Sequence, residues 1–211
     1  MKTKKKIVSE FRRSEIIDAA RSVFARHGFV RGIIDEIAKE AGIAKGTVYL
    51  YFRSKTEIYK AVLDHDMKAV KKETLDRIEA AGTLKDKIGA FTLARLESTE
   101  ARKDFFRIMD NESGGLALTR SQYHYWLREP VLRLAAAIGE ASRQGEIRRV
   151  HPEKTAWIIA DITRGTIQRR LIGKAETPPR ADSEFLSGFV WAALAVESRS
   201  ATPTAPIQPQ P

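Results

Sequence analysis

At 211 residues and 43% hydrophobic side chains, the chain is long enough for one large domain or two modest ones, with enough apolar material to bury a core. The absence of cysteine excludes disulfides, thiolate chemistry, cysteine-based redox sensing and zinc fingers. The net charge of +10 is uneven: residues 1–55 hold 13 Lys or Arg against 6 Asp or Glu, and the rest hold 24 against 21. Such a basic N-terminal third is the electrostatic footprint expected where phosphates supply affinity. MKTKKKIVSEF lacks an apolar stretch of signal-peptide length and no run of about 18 apolar residues occurs, so the expectation is a cytoplasmic protein with no membrane contact.

In chain order, residues 1–9 read as a basic disordered arm, and Lys2 to Lys6 fit either a solvated tail or a strand of contacts to DNA. A first helix spans 10–27, with Ile16, Ala20, Val23 and Phe24 on its buried stripe, and stops at Gly28. Ile34, Ile37, Ala38 and Ala41 then recur at three- and four-residue steps, opposite Asp35, Glu36, Lys39 and Glu40, which predicts a short amphipathic helix. Gly42 supplies the left-handed turn that ends it, and a second short helix begins near Ala44 with Val48 inward and Lys45, Thr47 and Tyr49 on other sides. This is a helix-turn-helix. Ser54 and Glu57 make a capping box that opens a longer helix to about Ala80, a link to the rest of the chain. Thr83 and Asp86 open the next, carrying Leu84, Ile88 and Phe91. A short helix over about Arg102–Met109, a loop from Asn111 to Leu118, and a long helix from near Thr119 to Gln144, kinked at Pro130 and ended by Gly145, follow. Pro152 and Glu153 start another, to about Gly173; Pro178 and Pro179 break the chain; Asp182 caps a last helix from Ser183 to about Glu197. The tail ATPTAPIQPQP reads as disordered. The fold class is all-α, about nine helices, with a helix-turn-helix domain over 10–55, a larger helical domain over 56–198 and a tail over 199–211.

The pairs Ile37-Ala38 and Ala41-Gly42, the triplet Lys45-Gly46-Thr47, the run Tyr49 to Phe52, Ser54 and Lys55 carry a resemblance, extended upstream by Ile16, Ala19, Ala20, Phe24, Gly28 and Phe29. Over roughly residues 10–62 the chain resembles the DNA-binding domain of the tetracycline-repressor (TetR) family of bacterial transcription regulators. Beyond that stretch the similarity is architectural. The resemblance implies a homodimeric regulator, usually a repressor, that reads a palindrome in double-stranded DNA and is released by a small-molecule inducer, with no cofactor and no catalysis.

For DNA contact, Lys45 at the front of the recognition helix has the reach for a guanine edge or a phosphate, and Thr47 offers a methyl and a hydroxyl. Gly46 either lets the backbone approach the groove or answers a packing need. Tyr49 and Lys55 resemble the family's backbone contacts, whereas Tyr51 is expected inside. Leu50 stands where a polar or histidine side chain is common, and Gly32-Ile33 and Ala44 replace common hydroxyl caps. Arg31 and the tail lysines are the expected compensation, so removing residues 1–8 should weaken DNA binding and flatten its salt dependence.

Trp157, Ile158, Ile162, Phe185, Phe189 and Val196 form a wide apolar surface on the last two helices, read here as the dimer interface; filling the monomer's own core is the alternative. Aromatic and soft side chains at Phe91, Phe105, Met109, Tyr123 and Trp126 suggest a mostly apolar or aromatic ligand, although core packing explains any one of them. Arg95 lies on an apolar stripe, suited to a carboxylate or phosphate or to an internal acid, and His65 follows the inner face of the linking helix. His27, His65, His124 and His151 lie on separate segments, with no metal-ligand spacing, no G-x-S-x-G and no P-loop, which argues against a metal site or an enzyme. A DNA-binding protein without a small ligand, architectural or partner-controlled, stays open as the rival reading.

Overall fold

The computed structural model describes residues 2–103, 106, 117–173 and 177–196, which form eight helices. They are α1 (Lys2–Arg31), broken by non-helical backbone at Gly28 (φ 71°, ψ 173°) where the sequence places its end, α2 (Ile34–Glu40), α3 (Lys45–Tyr51), α4 (Lys55–Ala80), α5 (Leu84–Ala101), α6 (Ala117–Gln144), α7 (Pro152–Ile172) and α8 (Pro179–Leu194). The short helix expected near 102–109, the loop after it and the tail over 199–211 fall largely outside the described residues.

Local chemistry sets most of these boundaries. Gly42 adopts φ 66° and closes α2 with Ile43 N–H donating to Ala38 O at 3.0 Å and Gly42 N–H to Lys39 O at 3.2 Å. This is the two-bond arrangement that satisfies orphan carbonyls at a helix end. Gly145, at φ 76°, closes α6, with Glu146 N–H donating to Ala141 O at 3.0 Å. Thr83 and Asp86 form a full capping box at the start of α5. At α4 the Ser54 hydroxyl accepts from Glu57 N–H at 3.2 Å, while the Glu57 carboxylate accepts from Arg53 N–H at 2.7 Å, one residue upstream of the usual reciprocal donor. α6 runs unbroken through Pro130.

Two expectations are corrected. Residues 2–9 are not a disordered arm but continue α1 as helix, since Lys2 to Ser9 contain no Gly or Pro to stop propagation. The last helix starts at Pro179 rather than Ser183: proline fits the first helical position, where its missing N–H has no partner to lose. Asp182 therefore lies inside the first turn, where it accepts from Thr177 Oγ1 at 2.9 Å and from Arg170 at 2.6 Å.

Two apolar clusters hold the helices together. The first joins α1, α2 and α3 to α4 through Ile16, Phe24, Ile37, Val48, Phe52, Ile58 and Tyr59, and extends to Leu96, Trp126, Ile167 and Leu186. The second, among α5 to α8, includes Ile88, Phe91, Val131, Leu134, Ile138, Ile159 and Val190. Arg170, with 7% of its side chain exposed, bridges Glu100 at 2.7 Å and Asp182, tying α5, α7 and α8.

Candidate nucleic-acid interface, hinge and ligand region

Packing of α2 on α3 leaves one side of α3 in solvent. Val48 is fully buried beneath it, which turns Lys45, Gly46, Tyr49 and Leu50 outward, with Leu50 81% exposed and Thr47 half-buried at the edge. A Cβ added at Gly46 would meet nothing within 4 Å, so no packing need inside the chain explains this glycine. Lys45 Nζ donates to Asp35 at 3.0 Å, and this pairing raises its pKa. Both ends are exposed, so a phosphate can compete for the ammonium. Arg31, Lys39 and Arg53 are exposed around the same end of the molecule. Lys55, half-buried at the start of α4, holds its ammonium 4.7 Å from the centre of the Phe29 ring. Tyr51 is half-buried and its carbonyl accepts from Arg13 Nη1 at 2.8 Å.

The missing caps are as the sequence reads them. Ile33 and Ala44 are the N-caps of α2 and α3, and neither gives a side-chain hydrogen bond. Gly32 has its own reason: a Cβ there would lie 2.9 Å from Phe24 Cδ1 and 3.0 Å from Gly28 O. A threonine at that position would collide with a fully buried ring.

Where α1 meets α4 the structure brings together residues that sequence reasoning missed. Arg21 grips Asp66 with both arms of its fork, Nε to Oδ2 at 2.6 Å and Nη2 to Oδ1 at 2.8 Å, while Nη1 donates to Asp18 at 2.7 Å. Asp66 is 3% exposed. Burial works against the Arg21 charge, but the hydrogen bonds to Asp66 and Asp18 outweigh it and raise its pKa. The signal was available: Ile58, Val62 and Asp66 follow one another at four-residue steps, so an acid sits on the apolar stripe of α4 and needs a cation. One part of the His65 expectation is corrected, its place on the inner stripe, while the side chain does line an open groove. The inner stripe passes through Asp66, leaving His65 half exposed, with Nδ1 3.3 Å from Arg21 Nη2 and 3.2 Å from Asp66 Oδ1.

Of the ligand candidates, Phe91 is fully buried in the second cluster, and Arg95, 3% exposed, donates to Ala160 O at 2.9 Å and lies 5.2 Å from the Phe91 ring centre. Trp126 is buried beside the open groove that Arg13, Ile17, His65 and Tyr125 line between α1, α4 and α6. Phe105 and Met109 lie outside the described residues, and of Tyr123 the structure describes only helical backbone.

The expected dimer face divides. Ile158 is 60% exposed, Phe185 74%, Phe189 66% and Val196 54%, on adjoining α7 and α8 and the turn that ends α8. Ile172, 80% exposed on the outer side of α7, belongs with them and was missed. Trp157 and Ile162 are half-buried within the chain itself: Trp157 has its ring 5.0 Å from that of His124 on α6, and Ile162 packs against both clusters. Among the described residues no helix is long and apolar enough to cross a membrane.

An exposed recognition helix on a helix-turn-helix, seated on a larger helical body, defines the class of DNA-binding regulators. The family of bacterial regulatory proteins, tetR family, matches residues 16–62. The chain is 36% identical over 74 residues to the fatty acid metabolism regulator protein of Bacillus subtilis, a match covering 35% of this chain and 38% of the relative. Among solved structures, the FadR regulator from Bacillus subtilis in complex with stearoyl-CoA superposes with a TM-score of 0.74 at 22% identity, covering 84% of this chain and 96% of that one. AibR in complex with isovaleryl coenzyme A and operator DNA gives 0.67 at 18% identity, covering 84% and 97%. Residues 16–62 thus match the DNA-binding segment of the tetR family of bacterial regulatory proteins, and the chain as a whole shares the fold of the solved regulators.

Proposed function

We propose that this protein is a cytoplasmic, homodimeric repressor that binds a palindromic operator through α3 and is released from it by a small molecule. The observation that carries the reading is the outward face of α3, where Lys45, Gly46, Thr47, Tyr49 and Leu50 stand on a buried Val48 within the family's matched segment. Under this reading α1, α2 and α3 are the DNA-binding domain, with Arg31 and Lys55 adding phosphate contacts, and α4 is the lever to the ligand and dimer region. Two copies pairing through Ile158, Phe185, Phe189 and Val196 place two recognition helices one or more helical turns apart.

The ligand class to which this reading points is an acyl-CoA thioester. Two structures of this fold hold one, and Arg95 sets a buried guanidinium against the Phe91 ring, a cation among apolar side chains of the kind that an acyl chain and its polar end would require. Release requires that the ligand prefer the arrangement that does not fit DNA, since equal affinity for both shifts nothing. The test is a band-shift titration with a duplex that the protein retains from a random pool, challenged with stearoyl-CoA, isovaleryl-CoA and free CoA. Release by a thioester and not by free CoA is expected; retention with all three would refute the ligand class, and the architectural or partner-controlled alternative would then stand.

A further inference from the structure

We propose that Arg21 is a positioning residue that, by clasping Asp66, fixes the angle of the DNA-binding helices on α4 and thereby sets which half-site spacing the dimer accepts. This rests on the reading of a dimer on a palindrome. The helix-turn-helix seats on α4 through α1, and two contacts of different character lie along that seat. One is the edge-on contact of the Phe24 and Tyr59 rings, with centroids 5.5 Å apart. The other is the Arg21–Asp66 fork, seven residues or about 10 Å further along α4. The ring contact alone allows α1 to swing about it, because apolar surfaces in contact resist separation more than small rotations. A two-armed hydrogen-bonded fork does not tolerate such rotation, since both N–H to oxygen lines must hold at once. A pivot and a clasp at separate points together fix an angle.

The surroundings make the clasp one-sided and stiff. Asp18, one turn back on α1, holds Nη1 at 2.7 Å, so the guanidinium is braced from its own helix before it reaches across. His65 Nδ1 lies 3.3 Å from Nη2 on the solvent side. Asp66, 3% exposed, would lose its two-armed partner if the fork opened, leaving a buried carboxylate short of a cation. Loss of the clasp therefore frees the orientation of the recognition helix while the apolar cluster still holds the domain on. The expected consequence is a change of selectivity, not of intrinsic half-site recognition.

The test uses the full chain and its variants Arg21→Gln and Arg21→Lys, with duplexes whose two half-sites are moved apart or together by one and two base pairs, and a duplex with a single half-site. Helix content and melting temperature are followed for each protein. The native protein should prefer one spacing. In Arg21→Gln that preference should fall about tenfold, within the usual range of couplings, while single half-site affinity stays within about twofold. Arg21→Lys, which keeps the charge without the fork, should fall between, and serves if the glutamine variant does not fold. A native protein with no spacing preference would sink the dimer reading and the clasp with it. Native preference retained by both variants, or affinities for every duplex falling by one common factor, would overturn the clasp alone.

Discussion

The face of α3 and the outer face of α7 and α8 both leave large side chains in solvent, and they are made of different material. The face of α3 is narrow and mixed: Tyr49 is 47% and Leu50 81% exposed, beside Lys45, with Arg31, Lys39 and Arg53 around it. The outer face of α7 and α8 is broader and richer in apolar side chains: Ile158, Ile172, Phe185 and Phe189 are each at least 60% exposed, with Asp161 and Arg169 the charged side chains on that side of α7, and Gly165 and Gly188 have open space where a Cβ would be. A wet, charged surface suits a polyanion that must come and go, because its affinity is set largely by salt and counterions. A dry surface with small residues that admit a second backbone suits a partner that stays. The comparison teaches how, in the proposed dimer on DNA, composition would separate a reversible contact from a lasting one.

The largest way to break that contrast is at the dry face. Phe189→Glu should leave the chain monomeric in sedimentation and cost operator binding about 3 kcal/mol or more, because one half-site contact is then lost and a charge sits in an apolar interface. A dimer that persists in the variant would move the interface elsewhere. Next comes the wet face. Lys45→Ala should keep the dimer and cost about 1–3 kcal/mol per half-site in a fluorescence anisotropy titration. Thermal melting should not change, since Lys45 pairs only with an exposed Asp35.

A smaller effect lies behind the wet face. Gly32→Ala places a Cβ against Phe24 and Gly28 O, and should destabilise the fold by about 1–3 kcal/mol in urea unfolding. Its operator affinity per folded molecule should fall much less than that of Lys45→Ala. The smallest concerns the helices behind the dry face. Hydrogen bonds from Lys103 and Arg170 hold the Glu100 carboxyl below its ordinary value of 4.5. A pKa depressed by folding contributes stability that is present above the ordinary value and is lost as the pH falls through the folded one. Glu100→Gln should therefore lower stability at neutral pH and flatten its decline below about pH 4.5; parallel pH curves for the two proteins would remove the Arg170 bridge from the account.

The two regions also differ in how far they can be read without coordinates. Helix ends are local events, so Gly42, Gly145, Ser54 and Thr83–Asp86 announce themselves by residue type and spacing. The outward side of α3 is legible for a related reason: in so short a helix the one buried position, Val48, fixes which neighbours face solvent. Pairings across the chain are not local. Arg21 and Asp66 are 45 positions apart, and only the acid on an apolar stripe hints that a cation must arrive from elsewhere. The split of α7 into an outer side with Ile158 and Ile172 and inner sides with Trp157 and Ile162 depends on which neighbour each flank meets. A helix with apolar residues on several sides, interleaved with Asp161, Arg164 and Arg169, does not disclose that by periodicity. The start of α8 was misplaced because two adjacent prolines read as a break, when one of them is a helix start.

The central claim, a dimer that reads a two-fold symmetric site through α3, is tested most directly by incubating the protein with random DNA duplexes at physiological salt and sequencing what it retains. The account predicts one palindrome, lost from the retained pool when Lys45→Ala or Phe189→Glu replaces the native chain. Retention of unrelated sequences with equal affinity would contradict it and would leave a basic protein that binds DNA without reading it.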